Sequence, residues 1–294
     1  MTQKAAIWSV MALLLCLGVA NAAAAPLEVF VSIVPQKYFV ERVGGEEVSV
    51  AVLVGPGRSP ATYDPTPAQM ARLSRAAVLF RIGVPFENRL MTKIPTVCPN
   101  LRIVDTRRGV KLLAMEEDHG HDDGHDHAGM DPHIWLDPKR VKVQARTIAE
   151  SLSELRPAAA ATFRANLAAF ERDLDEVDAR IGRVLAPFRG RSFMVFHPSY
   201  GYFGDSYGLV QIAVEASGKS PGPRQIARWV DWARAENIRI VFVQPQFASS
   251  AVHTIAQSID GAVVPMDPLA EDYLTNLEAM ARRIEEALGD SERP

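Results

Sequence analysis

The sequence predicts an α/β protein of two lobes, each a parallel sheet flanked by helices, joined by a long rigid bridging helix. Three observations lead there. Strand-like and helix-like segments alternate along both halves of the chain, the pattern of parallel βα units. Between the halves, Phe163, Leu167, Phe170, Leu174, Val177, Ile181 and Val184 hold an unbroken 4-3 spacing. A helix of about 26 residues there would span roughly 40 Å, more than one small lobe needs. Finally, segments fixed by Pro or Gly and carrying polar side chains stand where strands end, the edge at which open α/β sheets hold ligands.

The chain opens with an export signal. Lys4 gives a positive start, and residues 7–19 form an apolar run of about 13 residues, short for a membrane span. Small residues follow up to Pro26, so cleavage is expected within 22–26, giving a secreted or periplasmic protein. Leu15 before Cys16 does not suit lipidation. Loss of Cys16 with the signal leaves Cys98 without a disulfide partner.

Residues 26–137 form the expected N-terminal lobe. Residues 27–34 (LEVFVSIV) and 47–54 (EVSVAVLV) are β-branched runs that read as strands, separated by a short amphipathic helix over 36–43. Residues 55–67 (GPGRSPATYDPTP) are a loop at a strand's C-terminal end. A helix over 68–74, a strand over 77–82, a helix over 86–94 and a strand over 102–104 complete the lobe.

The His-rich loop 116–130 breaks the alternation. Four of the chain's seven histidines (His119, His121, His125, His127) lie there among Asp122, Asp123 and Asp126. With no apolar periodicity, it is expected to lack fixed structure without metal. Its alternating imidazoles and carboxylates suit weak capture of zinc, copper or nickel. The next segment, DPHIWLDP (131–138), is the opposite: prolines fix it around His133, and Trp135 is expected to pack on the core.

Residues 138–187 read as a helical linker: Val141, Ala145, Ile148, Leu152 and Leu155 recur at threes and fours, then Pro157 opens the bridging helix. Residues 188–294 form the C-terminal lobe. Its strands are expected at 191–196, 209–214, 238–243 and 262–265, and its helices at 225–236, 249–258 and 273–288. His197 and Asp267 directly follow two of those strands. Neutral imidazole nitrogen and carboxylate oxygen are suitable zinc ligands. His253, with no metal-binding neighbour on its helix, reads as a surface histidine.

Composition limits the rest. The 294 residues carry a formal net charge of -3, with 48% hydrophobic and 23% charged residues, so nothing favours nucleic acid. A binding module, a metal buffer or chaperone, and a zinc-dependent hydrolase all fit a His-and-carboxylate site. The absence of an HExxH-type helix weighs against the hydrolase.

Across nearly the whole mature chain the sequence resembles the zinc-uptake periplasmic solute-binding proteins of metal ABC transporters. The likeness rests on SIVPQKYFVERVGG (32–45), SPATYDPTP (59–67), the His-rich insertion, DPHIWLDP (131–138), FHPSYGYF (196–203) and MDPLAEDY (266–273). It implies a metal site in the interlobe cleft, with His133, His197 and Asp267 as ligands and Zn2+ as cargo. A histidine rather than a glutamate at 197 favours zinc over manganese in that family; binding of manganese, nickel or copper is the alternative. The implied partner is the ABC transporter's membrane permease, with a periplasmic metallochaperone as a further candidate, and the protein is expected to be a monomer and not an enzyme. One position departs from the pattern: many relatives place a first histidine ligand where this chain has Ala61. A water, a histidine of the 119–127 run, Glu215 or Asp64 are the candidates to replace it.

Overall fold

The structure, a computed structural model, describes residues 25–115, 129–215, 220–247 and 250–290. In the N-terminal half the order is β1 (Leu27–Ile33), α1 (Val34–Gly44), β2 (Val48–Val54), α2 (Pro67–Leu73), β3 (Val78–Arg81), α3 (Phe86–Val97) and β4 (Arg102–Asp105). Two helices follow, α4 (Pro138–Leu155) and α5 (Ala160–Leu185). The C-terminal half runs β5 (Ser192–Val195), α6 (Gly201–Tyr207), β6 (Val210–Ala213), α7 (Pro223–Ala235), β7 (Ile240–Val243), α8 (Ser250–Ser258), β8 (Ala262–Pro265) and α9 (Tyr273–Asp290).

Both sheets are parallel and four-stranded, with the same order, β2-β1-β3-β4 and β6-β5-β7-β8. In each, the chain leaves the first strand of its half for one side and returns to the other. That switch opens a crevice at the strands' C-terminal ends, where the ligand-bearing loops emerge. The element readings hold apart from α6, which the sequence did not announce. The predicted signal and the His-rich residues 116–128 lie outside the described residues.

The bridging helix α5 is 26 residues long, as its 4-3 spacing requires. Phe163, Phe170, Leu174, Val177 and Ile181 are fully buried, while Leu167 and Val184 are partly buried against the same core. Each full burial contributes up to about 1.5–3 kcal/mol. This face packs on α1 of one half, on α4, and on α9 of the other half. One core cluster therefore runs from Val31 and Phe80 through Trp135 and Phe170 to Tyr273 and Ile284. A smaller cluster, including Met194, Val230, Val252 and Ile255, fills the space between the second sheet and α7 and α8.

Candidate metal centre

The C-terminal ends of the two sheets face one another across a small cavity of about 80 Å3. Ala61 and Pro85 line it from the loops after β2 and β3; His197 and Phe247 line it from those after β5 and β7. His133 enters from the segment before α4, and Pro268 from the loop after β8. Most of the wall is apolar, so the imidazoles are its chemically distinctive groups.

His133 stands at the N-cap of a turn of 3-10 helix (Ile134–Leu136) whose residues are all buried. Its Nδ1 lies 2.5 Å from Asp131 Oδ1, and its backbone N–H donates to the same oxygen at 2.9 Å. Asp131 is itself buried, under Gly201. A Cβ at 201 would stand 2.9 Å from Asp131 Oδ2, so the glycine makes room for the carboxylate. Tyr202 donates its hydroxyl to the Asp131 carbonyl at 2.8 Å and accepts the Leu113 N–H at 3.0 Å. Trp135 holds the other side, its Nε1 donating to the Pro268 carbonyl at 2.8 Å.

His197 repeats the arrangement from the other half. Its Nδ1 lies 3.1 Å from Glu215 Oε2, its ring stacks on Phe247 at 4.6 Å, and its backbone N–H donates to Gln244 Oε1 at 3.2 Å. Burial, reinforced by His133, pushes its pKa below the usual histidine value despite the opposing pull of the Glu215 hydrogen bond. The ring is thus held neutral, the form that binds metal. The two imidazoles meet edge to face at 5.5 Å between centroids. With each Nδ1 held by a carboxylate, Nε2 is the nitrogen each ring offers a metal, the usual outer-carboxylate logic of metal-binding histidines. This donor set fits a transition metal such as zinc.

The other candidates are placed differently. Asp267 is not among the residues lining the cavity, although its neighbours Pro268 and Leu269 are; its Oδ1 accepts Gln246 Nε2 at 2.8 Å and the Leu269 N–H at 2.9 Å. Among the described residues, no three His, Cys, Asp or Glu side chains stand together as a metal-holding group. Glu215, a candidate fourth ligand, engages His197 Nδ1 through Oε2, and its Oε1 is buried with no hydrogen-bond partner among the described residues. Asp64, the other candidate, stands in an exposed pair with Lys93 at 3.2 Å. His119, His121, His125 and His127 lie outside the described residues, and His253 is exposed on α8. Cys98 is buried. Asp131 is the participant sequence reasoning missed. Its spacing two residues before His133, with Pro132 between, was the available signal.

The profile of the ZnuA family, described as zinc-uptake complex component A periplasmic, matches residues 29–287. The high-affinity zinc uptake system protein ZnuA of Yersinia pestis is 28% identical over 272 residues, 85% of this chain and 86% of that protein. The manganese-binding lipoprotein MntA of Halalkalibacterium halodurans is 28% identical over 221 residues, 74% of this chain and 70% of that protein. A crystal structure of ZnuA superposes with a TM-score of 0.84 at 40% identity, covering 89% of this chain and 99% of the other. Both lobes, the bridging helix and the cavity loops fall inside the matched span, and the chain belongs to the ZnuA family.

Proposed function

We propose that this protein captures zinc in the periplasm through His133, His197 and Asp267 and delivers it to an ABC-type metal permease, performing no chemistry on the ion. The observation that carries this reading is the facing pair of imidazoles, one from each half, each with Nδ1 engaged by a carboxylate. An imidazole at 197 rather than a carboxylate favours zinc over manganese, because carboxylate-rich sites suit the harder ion. The named zinc-uptake relatives support the same cargo and partner. The accessory histidines at 119, 121, 125 and 127 add weak metal-capturing groups to the chain.

Titration calorimetry tests the site. Wild-type protein is expected to bind one zinc tightly, with His133→Ala and His197→Ala each abolishing that binding. Unchanged affinity in both variants overturns the assignment. Restoration of zinc uptake in cells lacking the protein, dependent on the permease, separates delivery from simple buffering. Zinc-loaded protein is expected to show no hydrolase activity.

A further inference from the structure

Ala61 withdraws a donor from the cavity wall, and no third His, Cys, Asp or Glu joins the two imidazoles in the described arrangement. The same wall carries Met115, whose side chain holds a thioether sulfur. Its backbone is pinned, with the Met115 N–H donating to the Gly129 carbonyl at 3.0 Å and neighbouring Ala114 bridged to Met130. One step further along, the Asp131 N–H donates to the Leu113 carbonyl at 2.9 Å. The ladder that positions Met115 is therefore the one that positions Asp131, the residue orienting His133. With three rotatable bonds, the methionine side chain can adapt within the cavity.

The other polar groups of the wall are poor substitutes. Ser59 Oγ accepts the Ala61 N–H at 3.3 Å, and Gln246 donates to Asp267. Hydroxyl and amide oxygens are hard donors, whereas thioether sulfur is soft and selects copper(I). Two imidazoles and a thioether make an uncharged set of donors suited to a monovalent ion, within a wall otherwise largely apolar (Val84, Pro85, Phe247, Leu269). Building on the metal-centre reading above, we propose that Met115, with His133 and His197, forms a soft donor set that takes up copper(I) in the cavity that takes up zinc with Asp267.

The test uses the full chain, with copper(I) titrated anaerobically against a chromogenic copper(I) chelator and zinc against a zinc-binding dye. Met115→Leu conserves volume. It is expected to weaken copper(I) binding at least about tenfold while zinc affinity stays within about threefold. Asp267→Asn is expected to do the reverse. Copper-edge X-ray absorption should show a sulfur neighbour in wild type that disappears in Met115→Leu. Unchanged copper(I) affinity in Met115→Leu, or a wild-type spectrum without sulfur, overturns the proposal. So does tight copper(I) binding that survives in a His133→Ala, His197→Ala double variant. If that variant retains tight zinc as well, the metal-centre reading itself falls.

Discussion

At the scale of single residues, the centre depends on two carboxylates that touch no metal in the proposed arrangement. Asp131 and Glu215 fix which nitrogen each imidazole presents and the direction in which it points. Loss of such an outer partner costs about 10–100-fold in metal affinity. Asp131→Asn and Glu215→Gln are each expected to weaken zinc by that range, measured by dye competition, with the fold intact by circular dichroism. The depressed pKa of His197 adds a pH dependence with a definite sign. Below the ordinary histidine value of 6.5, the unfolded chain takes up a proton that the folded ring declines. That contribution to stability is present above 6.5 and is lost as pH falls through the lower folded value. The zinc-free protein should therefore lose thermal stability on going from pH 7.5 to pH 5, with a shallower loss in His197→Gln. Zinc affinity should fall in the same direction as protons compete for the ring. A wild-type stability profile that matches that of His197→Gln would remove this role.

At the scale of elements, β1 was legible as a short continuous apolar run, buried on both faces from Val29 to Ile33, and α5 through its 4-3 row, which reports the face that meets the core. The seven-residue α6 was not read: no side chain caps it, and the one i,i+4 pair on its buried face, Phe203 and Tyr207, is too short a signal to establish a period. His133, His197 and Asp267 could be singled out because prolines fix them beside strand ends or helix starts. Asp131 stands two residues before His133, a spacing the sequence shows, whereas the role of Glu215 depends on side-chain direction between neighbouring loops of one sheet, which no spacing encodes. Trp135 shows how these loops are tied together. Its indole N–H reaches the loop after β8, while the Tyr273 hydroxyl donates to the Trp135 carbonyl at 2.6 Å from the start of α9. Trp135→Phe keeps an aromatic ring but leaves the Pro268 carbonyl without that donor. A loss of about 1–3 kcal/mol is expected in urea unfolding. A change within a few tenths of a kcal/mol would mean that the bond does not hold the loops.

At the scale of the whole molecule, both sheets contribute to one shared core, while the second sheet also has a smaller cluster of its own against α7 and α8. The core cluster that begins under β1 and β3 continues through α4 and α5 into α9, and the facing loops are stitched by buried hydrogen bonds. Wide closure about a hinge would have to open that packing, so capture and release should proceed by small loop and side-chain movements. The same continuity makes the zinc-free chain a single cooperative unit. Scanning calorimetry is expected to show one transition without zinc and one with it. A ligand at 100 times its Kd stabilises the folded state by about 2.7 kcal/mol, which for a chain of this size raises Tm by about 5–10 °C. Small-angle scattering of the same samples should give radii of gyration that agree within about 1 Å, because rearrangement is confined to the cavity walls. Two resolved transitions, or a contraction of several ångströms on adding zinc, would show that the halves move as independent bodies despite the shared core.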